Sequence, residues 1–286
     1  MNEDFLVNIN GELFRGDKAQ ISVFDRGFLF GDSVYESTRT FNQKAFRIHK
    51  HLERLMSSAH KINLPLTLSL DTIEEEVKKT ILSSGFKDAL LRIIITRGTN
   101  LNLDLFPEES LQNNLIIFTK EIKPNPKSWL THGVSMTFYT KQSKSSGALP
   151  KTGNYQENIL AQMKAKKLGM YDAFMINELG HVTEGSTSNA WIIKNSTLFT
   201  PPLEDGVLEG LTRKAIFEMD QENILTIPLV EKSLTPKDFL EADECFITST
   251  TRNILPVTQI DEKKIGNGQP GAQTLTVLNK YLDFVK

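Results

Sequence analysis

The chain has 286 residues, 39% hydrophobic and 24% charged, with a formal net charge of −2; that length and balance fit a globular, soluble protein of one large or two modest domains. Charge this close to neutral excludes bulk attraction to nucleic acid or acidic membranes. The single cysteine, Cys245, excludes an internal disulfide and a cysteine-rich zinc site and fits a reducing cytoplasm. The acidic start Met1-Asn2-Glu3-Asp4 is unlike a signal peptide, and the apolar run Ile93-Ile94-Ile95 is too short to span a bilayer.

Phe5 to Phe14 reads as a hairpin around an Asn10-Gly11 turn, the strongest short-range hairpin signal. Asp25 to Glu36 mixes glycines, charges and aromatics and reads as a loop entering a strand at about Val34 to Phe41. A turn at Asn42-Gln43-Lys44 and a partner at Ala45–Ile48 follow. From His49 the period changes: Leu52, Leu55, Met56, Ala59 and Ile62 fall at helical spacing. Arg54 lies off that stripe and is expected on a solvated face; its alternative use is a fork for phosphate oxygens. A second helix runs from Asp71 to Ser84, capped near Ser69 or Asp71. The β-branched runs Ala89 to Thr96 and Leu115 to Thr119 read as buried strands, joined by the polar loop Gly98 to Ser110. Residues 123–128, with two prolines, read as an interdomain linker.

The second half opens with a strand at Gly133 to Thr140 and a basic, serine-rich stretch at Lys141 to Gly147. After Lys151 comes a helix with Ile159, Leu160, Met163 and Leu168 on one side. Strands follow at Tyr171 to Ile176, Val182 to Glu184, Ala190 to Lys194 and Thr197 to Thr200. Gly206 to Arg213 leads into a helix from about Thr212 to Asp220, and a glycine before a helix start leaves backbone N–H groups open to an anion. A strand at Asp243 to Thr248 leads into Ser249-Thr250-Thr251-Arg252-Asn253, and a helix over Gln273 to Phe284 closes the chain. His49, His51, His60, His132 and His181 lack metal-ligand spacing, so no metal is expected.

Singly, these features are common. Together, Arg54 in HLERL, Lys151 in PKTGNYQENILA, Glu184 in VTEGSTSNAW, and the stretches GVLEGLTR and TSTTRNILPV resemble the class IV fold of pyridoxal-phosphate aminotransferases over nearly the whole chain. That family includes branched-chain aminotransferases, D-amino acid aminotransferases and aminodeoxychorismate lyase. The resemblance implies an α+β fold of two domains, a small N-terminal one over 1–122 and a larger strand-rich one over 129–286, with pyridoxal 5'-phosphate between them. It also implies a homodimer acting on amino acids and keto acids by a ping-pong scheme.

Residue by residue, the resemblance makes Lys151 the Schiff-base lysine and Glu184 the partner of the pyridine nitrogen. Arg54, the backbone of Leu211 and Thr212, and Thr250 look like the phosphate site. Tyr155 falls near the cofactor's phenolic oxygen. Thr250 and Thr251 would offer N–H groups to the substrate carboxylate, and Tyr35 would line the pocket. The chemistry fits the types: a neutral amine is the nucleophile, and a carboxylate holds the pyridine protonated as an electron sink. Lys141 and Lys144 are the rival lysines, in a serine-rich segment poorly suited to hold an amine in place.

The substrate is less sharply marked. The D-amino acid branch usually has an arginine and a histidine two apart after TRGT, whereas Thr96-Arg97-Gly98-Thr99 is followed here by Asn102 and Asp104, and an aspartate repels a carboxylate. Arg26, in a stretch similar to that branch, is a candidate alternative trap. The branched-chain branch usually has Tyr-x-Arg on the preceding strand; Leu90 replaces the tyrosine, and Arg92 is retained for a distal carboxylate or for a structural ion pair. With Tyr155 also retained, the reading leans to branched-chain L-amino acids with 2-oxoglutarate as acceptor. D-amino acid transfer, then the lyase, then a non-catalytic pyridoxal-phosphate carrier are the alternatives.

Overall fold

The computed structural model describes residues 5–108, 111–143 and 147–285. The chain divides into two compact units: Met1–Lys123 with Pro150–Asn154, and Pro124–Leu149 with Tyr155–Lys286.

The first unit contains β1 (Phe5–Ile9), β2 (Glu12–Arg15), α1 (Arg26–Phe30), β3 (Ser33–Phe41), β4 (Lys44–Ala45), α2 (Ile48–Lys61), α3 (Leu70–Ser84), β5 (Ala89–Thr96) and β6 (Asn114–Glu121). Its sheet has the order β2-β1-β6-β5-β3-β4, with antiparallel pairing throughout. The Asn10-Gly11 turn has both residues at positive φ (53° and 92°), as the tight hairpin turn requires. Leu52, Leu55 and Ala59 of α2 and Ile73, Val77 and Ile81 of α3 bury against Val34, Leu91, Ile93, Ile95, Leu115 and Ile117. The alternation along β5 puts Leu91, Ile93 and Ile95 on the helix side and leaves Leu90, Arg92 and Ile94 on the other face.

Two local expectations are corrected here. Asp25 to Glu36 is not simply a loop: the Asp25 carboxylate caps α1 by accepting the N–H of Gly27 (2.7 Å), and Gly31 at φ 69° ends it. The partner strand expected at Ala45–Ile48 is only two residues long, because Arg47 turns left-handed (φ 46°) into α2.

Pro150–Asn154 belongs with the first unit although the sequence places it in the second domain. Tyr35 N–H donates to the Lys151 carbonyl (3.0 Å), Gly153 N–H to the Ser33 carbonyl (3.0 Å), and Val34 bridges Thr152. The segment thus extends the edge of β3 opposite β5.

The second unit contains α4 (Ser128–Thr131), β7 (Val134–Thr140), α5 (Gln156–Lys167), β8 (Asp172–Ile176), β9 (Val182–Gly185), β10 (Ser188–Lys194), β11 (Thr197–Thr200), α6 (Leu211–Gln221), β12 (Leu229–Glu231), α7 (Pro236–Leu240), β13 (Glu244–Ser249), β14 (Asn253–Ile260), β15 (Lys263–Lys264) and α8 (Ala272–Phe284). The mixed sheet runs β12-β11-β10-β13-β14-β7-β8-β9, and β9 also pairs with β10, so six strands close on themselves. Val134, Met136, Phe174, Val182, Ile192, Ile247 and Val257 are among its buried core, while α6 and α8 cover Trp191, Ile193, Phe246 and Ile254.

α5 buries Ala161 and Ala165 against Ala173 and Met175. The side predicted to be its core face, Ile159, Leu160, Met163 and Leu168, is exposed. Small side chains four apart let the helix approach the sheet closely, and that spacing won over the bulkier apolar set. β14, with Pro256 inside it, and α7, with its Thr235–Asp238 capping box, had no counterpart in the sequence reading.

Candidate active site

In the first unit the chain is pinned on both sides of Lys151. Its N–H donates to Ser58 Oγ of α2 (3.1 Å), and its carbonyl accepts Tyr35 N–H. The half-buried side chain places Nζ 4.4 Å from the Tyr35 ring centroid. Lys151 is therefore held by backbone contacts to two regular elements, the arrangement an amine needs for chemistry at a fixed point. Arg92 lies on the same sheet face: its guanidinium is 5.0 Å from the Tyr35 ring centroid, and its Nε donates to Ser37 Oγ across the strand pair (3.1 Å). Among the described residues it has no carboxylate partner, so the structural ion pair weighed for it is absent.

Arg54 is not on a solvated face. Its Nε and Nη2 donate to the two carboxylate oxygens of Glu36, each at 2.7 Å, and His51 Nδ1 meets Glu36 Oε2 at 2.6 Å. Glu36 and His51 are fully buried. Burial opposes the charge on Glu36, but the Arg54 guanidinium and then His51 outweigh it and hold the carboxyl at about 2. Burial is also the main cause that pushes the His51 imidazole below its usual range, against the pull of Glu36. Sequence reasoning missed Glu36 and His51; the Tyr-Glu step of β3 facing a His-x-x-Arg spacing on α2 was the available signal.

Arg26 is not an open trap. It is 3% exposed, with Nε on Asp32 (3.0 Å), Nη1 on the Asp104 carbonyl (2.9 Å) and Nη2 on the Leu105 carbonyl (2.7 Å). Arg97 grips Asp32 from the other side, at 2.6 and 3.0 Å. The two arginines share one acid, and Arg26 also holds the Asp104 and Leu105 carbonyls, leaving no edge of its fork for a substrate.

In the second unit Glu184 lies in β9, 9% exposed, and accepts the N–H of Leu208 on Oε2 (3.1 Å). The segment before α6 is also fixed by Asn189, whose Nδ2 donates to the Leu208 carbonyl (2.8 Å). A Cβ at Gly210 would collide with the Asn189 amide oxygen, so glycine is required where the chain enters α6. That glycine supplies no side-chain cap. The N–H groups of Leu211 and Thr212 meet no acceptor among the described residues, and Thr212 Oγ1 is buried without a hydrogen-bond partner there. Donors left open at a helix N-terminus fit a phosphate group, so this part of the chain fits a phosphorylated cofactor.

Tyr155 stands at the N-cap of α5, partly buried. Thr250 and Thr251 form the turn between β13 and β14, closed by Arg252 N–H on the Ser249 carbonyl (3.3 Å). The turn after Glu184 is fixed through Ser186, whose Oγ donates to the buried Asp172 (2.5 Å) and whose carbonyl accepts Asn158 Nδ2 (2.7 Å). Of the rival lysines, Lys141 continues β7 with its N–H on the Ile176 carbonyl (2.8 Å), and Lys144 lies outside the described residues. Among the described residues no group of three or more His, Cys, Asp or Glu could hold a metal ion, and no helix is long and apolar enough to cross a membrane.

Residues 33–260 match the amino-transferase class IV family. A putative branched-chain-amino-acid aminotransferase of Methanocaldococcus jannaschii is 30% identical over 278 residues, 97% of this chain and 96% of that protein. A D-alanine aminotransferase of Bacillus licheniformis is 32% identical over 271 residues, 95% of this chain and 94% of the relative. Among solved structures, the branched-chain amino acid aminotransferase of Escherichia coli superposes with a TM-score of 0.89 at 25% identity, covering 99% of this chain and 95% of that one. The chain belongs to the class IV aminotransferase family and is a transaminase.

Proposed function

We propose that the protein binds pyridoxal 5'-phosphate on Lys151 and moves an amino group from a branched-chain L-amino acid to 2-oxoglutarate. The observation that carries the cofactor reading is the pinned backbone on both sides of Lys151. When bound, the cofactor supplies an aldehyde for amines and a ring that takes up the electron pair of the substrate's Cα–H bond. Lys151 Nζ then serves as the base that takes the Cα proton and returns it. The Glu184 carboxylate, sheltered in β9 and oriented by Leu208 N–H, is the partner of the ring nitrogen. The open N–H groups of Leu211 and Thr212, with Thr212 Oγ1, hold the phosphate. Thr250 belongs to the same phosphate set by family likeness. Arg54, whose Nε and Nη2 pair with Glu36, adds positive charge to the phosphate set by family likeness. By family likeness Tyr155 would serve the cofactor's phenolic oxygen, and Tyr35 would line the substrate pocket.

For the substrate, Arg92, half-buried beside Tyr35 and without a carboxylate partner among the described residues, favours an acceptor with a distal carboxylate. The 32% identity to D-alanine aminotransferases keeps D-amino acids as the second reading. Against it, Asn102 Nδ2 donates to Asp104 Oδ2 (2.6 Å), and Arg26 is committed to Asp32 and to loop carbonyls. Assayed with 2-oxoglutarate, L-leucine and L-valine are expected to outperform D-alanine, D-glutamate and (R)-phenylethylamine; a clear preference for D-alanine overturns the choice.

We also propose a homodimer working in the cytoplasm. Leu101, Leu103, Leu105 and Phe106 of the 98–110 loop are 63–81% exposed, which a second copy would cover. Sedimentation at a single-chain mass would contradict it.

A further inference from the structure

The acid of β9 and the start of α6 are joined by a residue that family likeness did not single out. β9 and β10 are linked through Ser186 and Thr187, and their register sets Asn189 directly opposite Glu184. Directly opposed residues of an antiparallel pair put their side chains on the same face. Both of these side chains reach the main chain of one residue, Leu208: Glu184 Oε2 accepts its N–H (3.1 Å), and Asn189 Nδ2 donates to its carbonyl (2.8 Å). The clamp is nearly dry, with Glu184 9% and Asn189 4% exposed.

The Leu208 carbonyl takes a second bond, from Gly210 N–H (2.8 Å), which folds Leu208–Gly210 into a tight turn and fills both lone pairs of that oxygen. The Gly210 carbonyl then accepts the first helical bond of α6, from Lys214 N–H (2.8 Å). Asn189 governs this turn twice. Its Nδ2 holds the pivot carbonyl, and its Oδ1 fills the space beside Gly210 where a Cβ would collide with it. The Glu184 carboxylate is thereby tied to the open N–H groups of Leu211 and Thr212 through Leu208, Glu209 and Gly210. The turn keeps that stretch shorter than the ~11 Å of extended chain. Thr212 Oγ1, buried without a hydrogen-bond partner among the described residues, marks the same helix start as a place for a ligand.

We propose that Asn189 is a positioning residue: through the Leu208–Gly210 turn it sets the Glu184 carboxylate and the N–H groups of α6 at the spacing that a single phosphorylated pyridine ligand bridges. The proposal rests on the cofactor reading given above and deepens it. Each subsite can act without Asn189. α6 is anchored by its own buried face, Ala215, Ile216 and Met219, so its N–H groups persist, and Glu184 belongs to the sheet. What Asn189 adds is cooperation between the two ends, because the second contact forms without further ordering once the first is made.

The test uses the full chain, freed of cofactor, and three probes titrated by calorimetry: inorganic phosphate, pyridoxamine and pyridoxamine 5'-phosphate, which lack the aldehyde that would bond to a lysine. In Asn189→Ala, pyridoxamine 5'-phosphate is expected to weaken by roughly tenfold or more, the loss of a buried hydrogen bond and of the alignment it enforces. Phosphate and pyridoxamine should each stay within roughly threefold of the wild type. The nitrogen NMR signal of the bound pyridine ring should move towards that of an unprotonated ring, as its contact with Glu184 loosens. Gly210→Ala, which displaces the Asn189 amide, should give the same pattern, and the double variant should bind no more weakly than Asn189→Ala alone. Phosphate or pyridoxamine weakening as much as the joined ligand, the sign of a merely structural prop, overturns the inference, as does an unchanged affinity for pyridoxamine 5'-phosphate or an unmoved ring signal. Each of these leaves the cofactor reading intact; wild-type protein that binds no pyridoxamine 5'-phosphate sinks that reading instead.

Discussion

The junction of β3 with α2 and the turn between β13 and β14 each carry an arginine, and the two are used in opposite ways. Arg54 is locked by both oxygens of a buried carboxylate, with a buried histidine behind it. Arg252 rests on a threonine, a tyrosine and a carbonyl, none of which cancels its charge. In the first place the charge is matched inside the protein and holds the helix against the strand. In the second the guanidinium is held by neutral oxygens alone among its described partners. Charge matching of the partners, rather than exposure of the arginine alone, decides how tightly each arginine is tied into the fold.

The largest expected stability effect tests the locked arginine. Arg54→Ala leaves Glu36 buried without its main counter-charge and should destabilise the protein by about 3–5 kcal/mol, read as a lowered denaturation midpoint. A loss below about 1 kcal/mol would mean that the pair is as weak as a surface bridge. On the function of the second unit, Glu184→Gln should retain bound cofactor but slow turnover strongly; near-normal rates would remove Glu184 from the mechanism.

Acid sharpens the same comparison. Glu36 lies below its ordinary value of 4.5, at about 2 in the fold, so its contribution is complete above pH 4.5 and is lost as the pH falls from there towards 2. His51, also held below its ordinary 6.5, adds a loss of the same sign that begins as the pH drops past that value. The denaturant midpoint should therefore fall steadily below pH 6.5, and Glu36→Gln should flatten its portion below pH 4.5. An unchanged slope in that variant would contradict the assignment. The smallest stability effect belongs to Arg252→Gln: with neutral, partly exposed partners, the stability should change by no more than about 1 kcal/mol.

Much of this could be read in the chain. Asn10-Gly11, the stripe Leu52-Leu55-Ala59 and the β-branched run of β5 each state their structure locally, and the structure follows them. What escaped depended on distance or on size. Arg54 was placed by period alone, but its partner lies 18 residues away on a strand, and no local pattern joins them. α5 was turned the wrong way because bulk was counted and closeness was not; Ala161 and Ala165 make the contact. Arg26 looked open because its neighbours in sequence are aromatic and small, while the carbonyls that occupy it come from Asp104 and Leu105. The backbone ties of Lys151 to Ser58 and Tyr35 join segments far apart in the chain, and no local motif states them.

The central claim is that the amine of Lys151 carries the cofactor. Reducing the loaded enzyme with borohydride, digesting it and locating the phosphopyridoxyl mass by tandem mass spectrometry tests this directly. The label is expected on the peptide containing Lys151 and on that lysine alone; a label on Lys141 or Lys144, or full labelling retained in Lys151→Ala, would contradict the account.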